Sequence, residues 1–302
     1  MIRPLLTAAL TLALAAPGAG CLDYNEPCGG LVENPERVAG YIDGDVYLDR
    51  PNARHANNAI ARLTAEAFVD AFSGSRPVDL AVVNGGSIRA EGGVVGADGQ
   101  CLTRNTLPRG AVTLGDIYQI LLFENLVYAV SVKESVLFEV FEHSVSGLLP
   151  TGSPVSSPSG RFLHVAGTPG TEIRVDCARP VGQRITGLRV GDRQLQRTGE
   201  ETVRMALTEF ILGGGDGYAM LAPLRADLST VVAEKEGGVD NDITAAYFNA
   251  TYGSEDRAFS VFPEDRERCT KPELTAEGYA GPDACRSPIK LVNCAVPLTP
   301  ED

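Results

Sequence analysis

Apolar residues recur along this chain with two periods, and the change from one to the other marks out its elements. Over residues 56–72, Ile60, Leu63, Ala67, Phe68 and Ala71 fall at helical spacing, with Arg62, Glu66 and Asp70 opposite, which predicts an amphipathic helix. Residues 79–83 (Asp79-Leu80-Ala81-Val82-Val83) form a short apolar run ended by Asn84-Gly85-Gly86, the pattern of a buried strand closed by turn formers. Thr113-Leu114-Gly115-Asp116 reads as a helix start ahead of Ile117, Tyr118, Ile120 and Leu121, with Asp116 as the expected N-cap. A strand is expected over 126–132. A helix follows over 134–149, with Val136, Leu137, Val140, Phe141, Val145 and Leu148 on one face.

Residues 151–159 (TGSPVSSPS) carry the Ser and Pro of a loop. Short strands are expected over 162–165, 172–175, 185–190 and 202–207, and a last helix over 243–251. Strands and helices alternate irregularly and without a fixed repeat. The expected class is therefore α+β, with mixed β-sheets and packed helices, in place of a doubly wound parallel sheet.

The first twenty residues stand apart from this pattern. Arg3 precedes an apolar run over residues 5–16, and Pro17-Gly18-Ala19-Gly20 supplies small residues before Cys21, the layout of an export signal. Cys21 resembles the lipidation site of bacterial lipoproteins, with Gly18 where that motif has Leu, and lipidation is preferred here over plain cleavage. The expected organisation is a signal peptide over 1–20, a polar tether over 21–37, one globular domain over 38–262 and a Cys-containing extension over 263–302. The expected location is the bacterial cell envelope, lipid-anchored or periplasmic, or the secreted space. Seven cysteines are present, so a lipidated Cys21 leaves six, enough for three disulfides with 15 possible connectivities. No pair has CxxC spacing and the three histidines lie far apart, so no metal ligands are expected. A net charge of −13 without any basic block excludes nucleic acid as a partner, and contact with a membrane is expected only through a lipid anchor.

Two glycine-rich loops follow strands and carry charged residues. In Asn84-Gly85-Gly86-Ser87-Ile88-Arg89 the backbone can approach a ligand closely and Arg89 can take a phosphate or carboxylate by two hydrogen bonds. In Phe210-Ile211-Leu212-Gly213-Gly214-Gly215-Asp216-Gly217-Tyr218, Asp216 suits a pair of sugar hydroxyls, and Phe123-Glu124-Asn125 sets an aromatic ring beside an amide. Two rings, an amide, an arginine and an aspartate are the parts needed to hold a purine, a ribose and a phosphate.

With Val112-Thr113-Leu114-Gly115-Asp116-Ile117-Tyr118, Phe138 to Val145 and Gly160 to Gly167, these strings make six ordered motifs. At them the chain resembles the C-terminal domain of the secreted 5'-nucleotidases and UDP-sugar hydrolases, over residues 38–262. The resemblance implies that Phe123 and Phe210 sandwich a base, that Asn84 and Asn125 make polar contacts to the nucleoside, and that Asp216 holds ribose hydroxyls. It also implies phosphate binding by Arg89, and by Arg54 upstream of the first helix. Ser87 replaces the third glycine of the first loop, and Leu122-Phe123-Glu124 stands where the family has Pro-Phe-Gly.

The family's catalytic half, a metallophosphoesterase domain with a two-metal site, contributes none of its motifs to these 302 residues. No catalytic residue and no cofactor is therefore expected in this chain, and a divalent metal pair enters only with a partner catalytic domain. Three readings stand at this point. One is an exported nucleoside- or nucleotide-binding protein without hydrolysis of its own. Another is the substrate-binding half of a split 5'-nucleotidase, completed by a separate metallophosphoesterase chain, which leaves enzymatic activity open. The third is a non-catalytic structural surface lipoprotein. Taken alone, His143 and His164 read as structural histidines and Glu124 as a solvated charge.

Overall fold

The run of apolar residues at 79–83 forms the interior of a five-stranded mixed sheet. The computed structural model describes residues 32–55, 58–74, 76–89, 94–95, 101–102, 105–155, 159–227, 231–233, 238–261 and 288–295. In chain order these include β1 (Val38–Ile42), α1 (Arg50–His55), α2 (Ala59–Ala71), β2 (Leu80–Asn84), β3 (Gly110–Thr113), α3 (Leu114–Ile120), β4 (Val127–Lys133), α4 (Glu134–Ser144), β5 (Leu163–Gly167), β6 (Glu172–Asp176), β7 (Ile185–Val190), β8 (Thr202–Thr208), α5 (Glu209–Leu212), α6 (Asp240–Tyr252) and β9 (Ile289–Val292). The central sheet runs Val231–Val232, β4, β8, β2, β5. β8 and β2 are parallel, while β4 and β5 lie antiparallel to the strands they flank. A second sheet is ordered Arg193–Gln194, β7, β6, β9, and β1 pairs with β3.

Both faces of the central sheet are covered, which is why β2, in its interior, reads as an unbroken apolar run. Successive side chains of a strand point to opposite faces. Ala81 and Val83 join the core built with Ile60, Leu63 and Phe68 of α2 and with Ile243 and Phe248 of α6. Leu80 and Val82 join the core built with Leu137 and Phe141 of α4 and with Ile173 and Leu188 of the second sheet. The class expected from the sequence, α+β with mixed sheets and packed helices, is the class observed.

Some boundaries differ for identifiable reasons. The helix expected over 134–149 stops at Ser144, where the Val145 N–H turns back to Phe141 O and the Ser146 hydroxyl donates to His143 O. Val145 and Leu148 nonetheless stay buried in a turn. At α3 the N-cap is Thr113 rather than Asp116. The Asp116 N–H donates to Thr113 Oγ1 at 3.2 Å, and Asp116 Oδ2 accepts the Thr113 N–H at 2.9 Å, a reciprocal capping box. The helix expected over 56–72 begins at Ala59, capped by Asn58 Oδ1, with the separate helix α1 ahead of it.

The signal segment and Cys21 lie outside the described residues, as does most of the tether. Its last residues are packed: Pro35 O and Arg37 O accept the N–H groups of Gly115 and Leu114 at the start of α3. Within the C-terminal extension, β9 adds a parallel strand to β6, and a Cys177–Cys294 disulfide joins it to the second sheet across 117 residues of chain. Cys28, Cys269 and Cys285 lie outside the described residues, and so does the Cys101 side chain. No helix among the described residues is long and apolar enough to cross a membrane.

Candidate functional site

Strand direction decides where the site lies. Because β2 and β8 are parallel, their C-terminal ends reach the same edge of the sheet, and the antiparallel β4 and β5 begin at that edge. β2 thus delivers Asn84 and the turn Gly85–Ser87, while β8 leads into α5 and the loop of Gly214 to Gly217. The segment entering β4 carries Phe123 and Asn125, the residues ahead of β5 supply Gly160, and α1 brings Arg54.

These segments enclose one cavity of about 440 Å³, within the usual range for small-molecule sites. All seven residues singled out from the sequence, Arg54, Asn84, Arg89, Phe123, Asn125, Phe210 and Asp216, line it, joined by Gly86, Ser87 and Gly160. The aromatic rings stand open: Phe123 is 38% exposed and Phe210 46%. The Arg89 guanidinium sits 4.8 Å from the centre of the Phe123 ring, a cation–π contact. Phe210 lies over Gly215, where a Cβ atom would meet the ring at 2.6 Å.

The polar groups are held from behind. Asn84 is buried and commits both ends of its amide: Nδ2 donates to Asp216 Oδ2 at 2.7 Å, and Oδ1 accepts the Ser87 hydroxyl at 2.5 Å. Ser87, the departure from the family's glycine, is therefore a working part of the loop. Asp216 sits at φ 51° and packs so closely on Gly160 that a Cβ there would lie 2.6 Å from its carboxylate. His143 Nε2 meets Asp216 O at 2.8 Å, and its ring packs edge-on against the buried Tyr218 at 4.7 Å. The Tyr218 hydroxyl in turn donates to Arg161 O at 2.5 Å.

His164 performs the same service for α1. Its Nε2–H donates to Ala53 O at 2.7 Å, beside Arg54, and its Nδ1 accepts the Asn58 N–H at 3.2 Å, which defines a neutral tautomer. Burial pushes its pKa down to about 4.

The residue that sequence reasoning missed is Asp240, the first of α6 and 2% exposed. Its Oδ2 accepts Asn125 Nδ2–H at 3.2 Å, and its N–H donates to Asn125 O at 3.0 Å. Burial raises its pKa to about 7, and the charge of Glu124 pushes in the same direction. Its sequence setting, Val239-Asp240-Asn241-Asp242, carries only the signal of acidic residues at a helix start. Glu124 is exposed at φ 48°, a left-handed conformation that suits the glycine expected there. Among the described residues no group of three or more His, Cys, Asp or Glu could hold a metal ion.

The family described as "5'-nucleotidase, C-terminal domain" matches residues 38–223. The trifunctional nucleotide phosphoesterase protein YfkN of Bacillus subtilis is 25% identical over 185 residues, 60% of this chain and 11% of that protein. An apyrase of Tabanus yao is 24% identical over 221 residues, 69% of this chain and 34% of that protein. Among solved structures, a 5'-nucleotidase precursor from Thermus thermophilus superposes with a TM-score of 0.56 at 23% identity, over 74% of this chain and 39% of that one. The chain thus spans only about a tenth to two fifths of the length of these proteins.

Proposed function

The chain belongs to the 5'-nucleotidase C-terminal domain family, and on that premise we propose that it is an exported nucleoside- or nucleotide-binding protein that holds a base between Phe123 and Phe210. The observation that carries the reading is the convergence of all seven candidate residues, from four separate segments, on one cavity. Aromatic faces accept any planar base and contribute about 1–3 kcal/mol each by stacking. Asp216, fixed by Asn84 and His143, suits two vicinal hydroxyls, and Arg54 and Arg89 offer charge-assisted hydrogen bonds to phosphate. Hydrolysis by these residues alone is not part of the proposal, because the cavity supplies groups that bind and orient. Export is supported by the signal-like first twenty residues and by the Cys177–Cys294 disulfide, a bond that persists in oxidising compartments.

The open faces of Phe123 and Phe210 favour a second reading, in which a separate metallophosphoesterase chain closes over the bound nucleotide. Thermal unfolding with AMP, adenosine, UMP and inorganic phosphate tests the first reading. At a hundredfold excess over its dissociation constant a ligand adds about 2.7 kcal/mol. A rise in Tm with AMP and adenosine that a Phe123→Ala, Phe210→Ala double variant loses supports the site, and no shift with any ligand removes it. Hydrolysis of AMP that appears only on mixing with a metallophosphoesterase chain supports the second reading.

A further inference from the structure

We propose, on the reading that this cavity takes a nucleoside, that Asp240 is a positioning residue which sets the hydrogen-bond polarity Asn125 offers to the base, so that bases with an exocyclic amine are preferred over their oxo counterparts. Asp240 stands behind the cavity and does not line it. It grips Asn125 twice, through Asn125 Nδ2 to its Oδ2 at 3.2 Å and through its own N–H to Asn125 O at 3.0 Å. Its other carboxylate oxygen is occupied by the Asn241 N–H at 2.8 Å. The Asn241 side chain reaches Leu121 O at 3.4 Å, tying the start of α6 to the segment that carries Phe123.

The polarity follows from what a carboxylate can do. An ionised Asp240 only accepts, so it can hold the Asn125 side chain only by the amide nitrogen. Asn125 Oδ1 is then the end left for a ligand in the cavity that Asn125 lines. An acceptor there pairs with the amine of adenine or cytosine and opposes the carbonyl of hypoxanthine or uracil. Reversing the partner reverses the outcome: with a donor at Asp240 Oδ2, Asn125 turns its Oδ1 inward and presents N–H to the ligand.

A proton on Asp240 Oδ2, the oxygen that faces the Asn125 amide, supplies such a donor while Oδ1 keeps the Asn241 N–H. The titratable neighbours are Glu124 on the segment before β4, and Asp242 on α6 itself, which burial raises and which takes the Tyr118 hydroxyl from α3. With Asp240 titrating near 7, conditions of about pH 8 and about pH 6 sample its two states in the unaltered protein.

The test is calorimetric titration of the full chain with adenosine and with inosine at both pH values, for wild type and Asp240→Asn. Wild type at the higher pH is expected to bind adenosine about tenfold more tightly than inosine, the size of one mismatched hydrogen bond. At the lower pH that ratio falls about tenfold. Asp240→Asn shows the lowered ratio at both pH values, since its amide nitrogen is a donor that does not titrate. Both nucleosides binding with a ratio that neither pH nor the substitution moves overturns the role of Asp240 and leaves the nucleoside site standing. Binding of neither by wild type overturns both. Should Asp240→Asn fail to fold, the wild-type comparison is extended over roughly pH 4–8, which spans the ordinary and the raised range of the carboxyl, and a ratio constant over all of it overturns the role.

Discussion

Asn84 and Asp216, 132 residues apart in the chain, are joined by a 2.7 Å hydrogen bond across the floor of the cavity. The bond exists because β2 and β8 run parallel and end at the same edge of the sheet. It fixes which carboxylate oxygen of Asp216 remains for a ligand, and Ser87 completes it by fixing the Asn84 amide.

Asn84→Ala removes the shared partner of Ser87 and Asp216. Leaving such groups unpaired costs about 1–3 kcal/mol. Adenosine affinity is expected to fall about tenfold or more, measured by calorimetry, while Ser87→Ala, which frees only one end of the amide, costs less. Equal losses in the two variants would contradict this ordering.

Gly215→Ala addresses the base platform alone. The added Cβ would stand 2.6 Å from the Phe210 ring, and the half-open ring can swing away at little cost in stability. Adenosine affinity should drop about tenfold as one stacking face is displaced. The Tm should stay within a few degrees of wild type, and binding of inorganic phosphate should not change.

His164 makes stability pH-dependent. The unfolded chain protonates this imidazole near pH 6.5 and the folded chain only near 4, so between these values the unfolded state binds more protons and stability falls as pH falls. The loss reaches roughly 3 kcal/mol by about pH 4 and is absent above neutrality. Asp240 contributes the opposite slope, because its folded pKa is raised to about 7 and its contribution is lost as pH rises from its ordinary range through 7. Between about pH 4 and 6.5 the two slopes oppose one another, so urea unfolding should show stability rising more steeply as pH falls in His164→Gln than in wild type. An unchanged profile in that variant would exclude His164 as its source.

Glu124→Gly should stabilise the protein. The residue holds φ at 48° on an exposed segment, a conformation that costs an L-residue about 1 kcal/mol, partly offset by the extra freedom glycine has when unfolded. A gain of about 0.5–1 kcal/mol, or roughly 1–3 °C in Tm, is expected in thermal unfolding. Removing its charge also lowers the pKa of Asp240, which the pH dependence of adenosine binding would reveal.

Much of this architecture is legible in the chain. The apolar run at β2, the stripe of α2 and the alternation in β4 are local periodicities, and each is the element expected. Phe123, Asn125, Phe210 and Asp216 stand out because short ordered strings carry them. β1, α1, β3 and β9 do not stand out, because their order comes from distant partners. β1 pairs with β3, far along the chain, and β9 is held by β6 and by Cys177. The helix expected over 134–149 runs past its true end because Val145 and Leu148 keep helical spacing after the backbone has turned at Ser146.

By itself the sequence determined the kinds of group this protein can bring to a ligand, together with the helices and strands that carry them, since periodicity and turn chemistry act over a few residues. Only the tertiary structure decided how those groups are aimed. Asp216 is held by Asn84 and His143, Arg54 is carried by a helix anchored on His164, and the amide of Asn125 is turned by Asp240. Each is a hydrogen bond between segments far apart in the chain, where direction and polarity depend on a fraction of an ångström that no local pattern encodes.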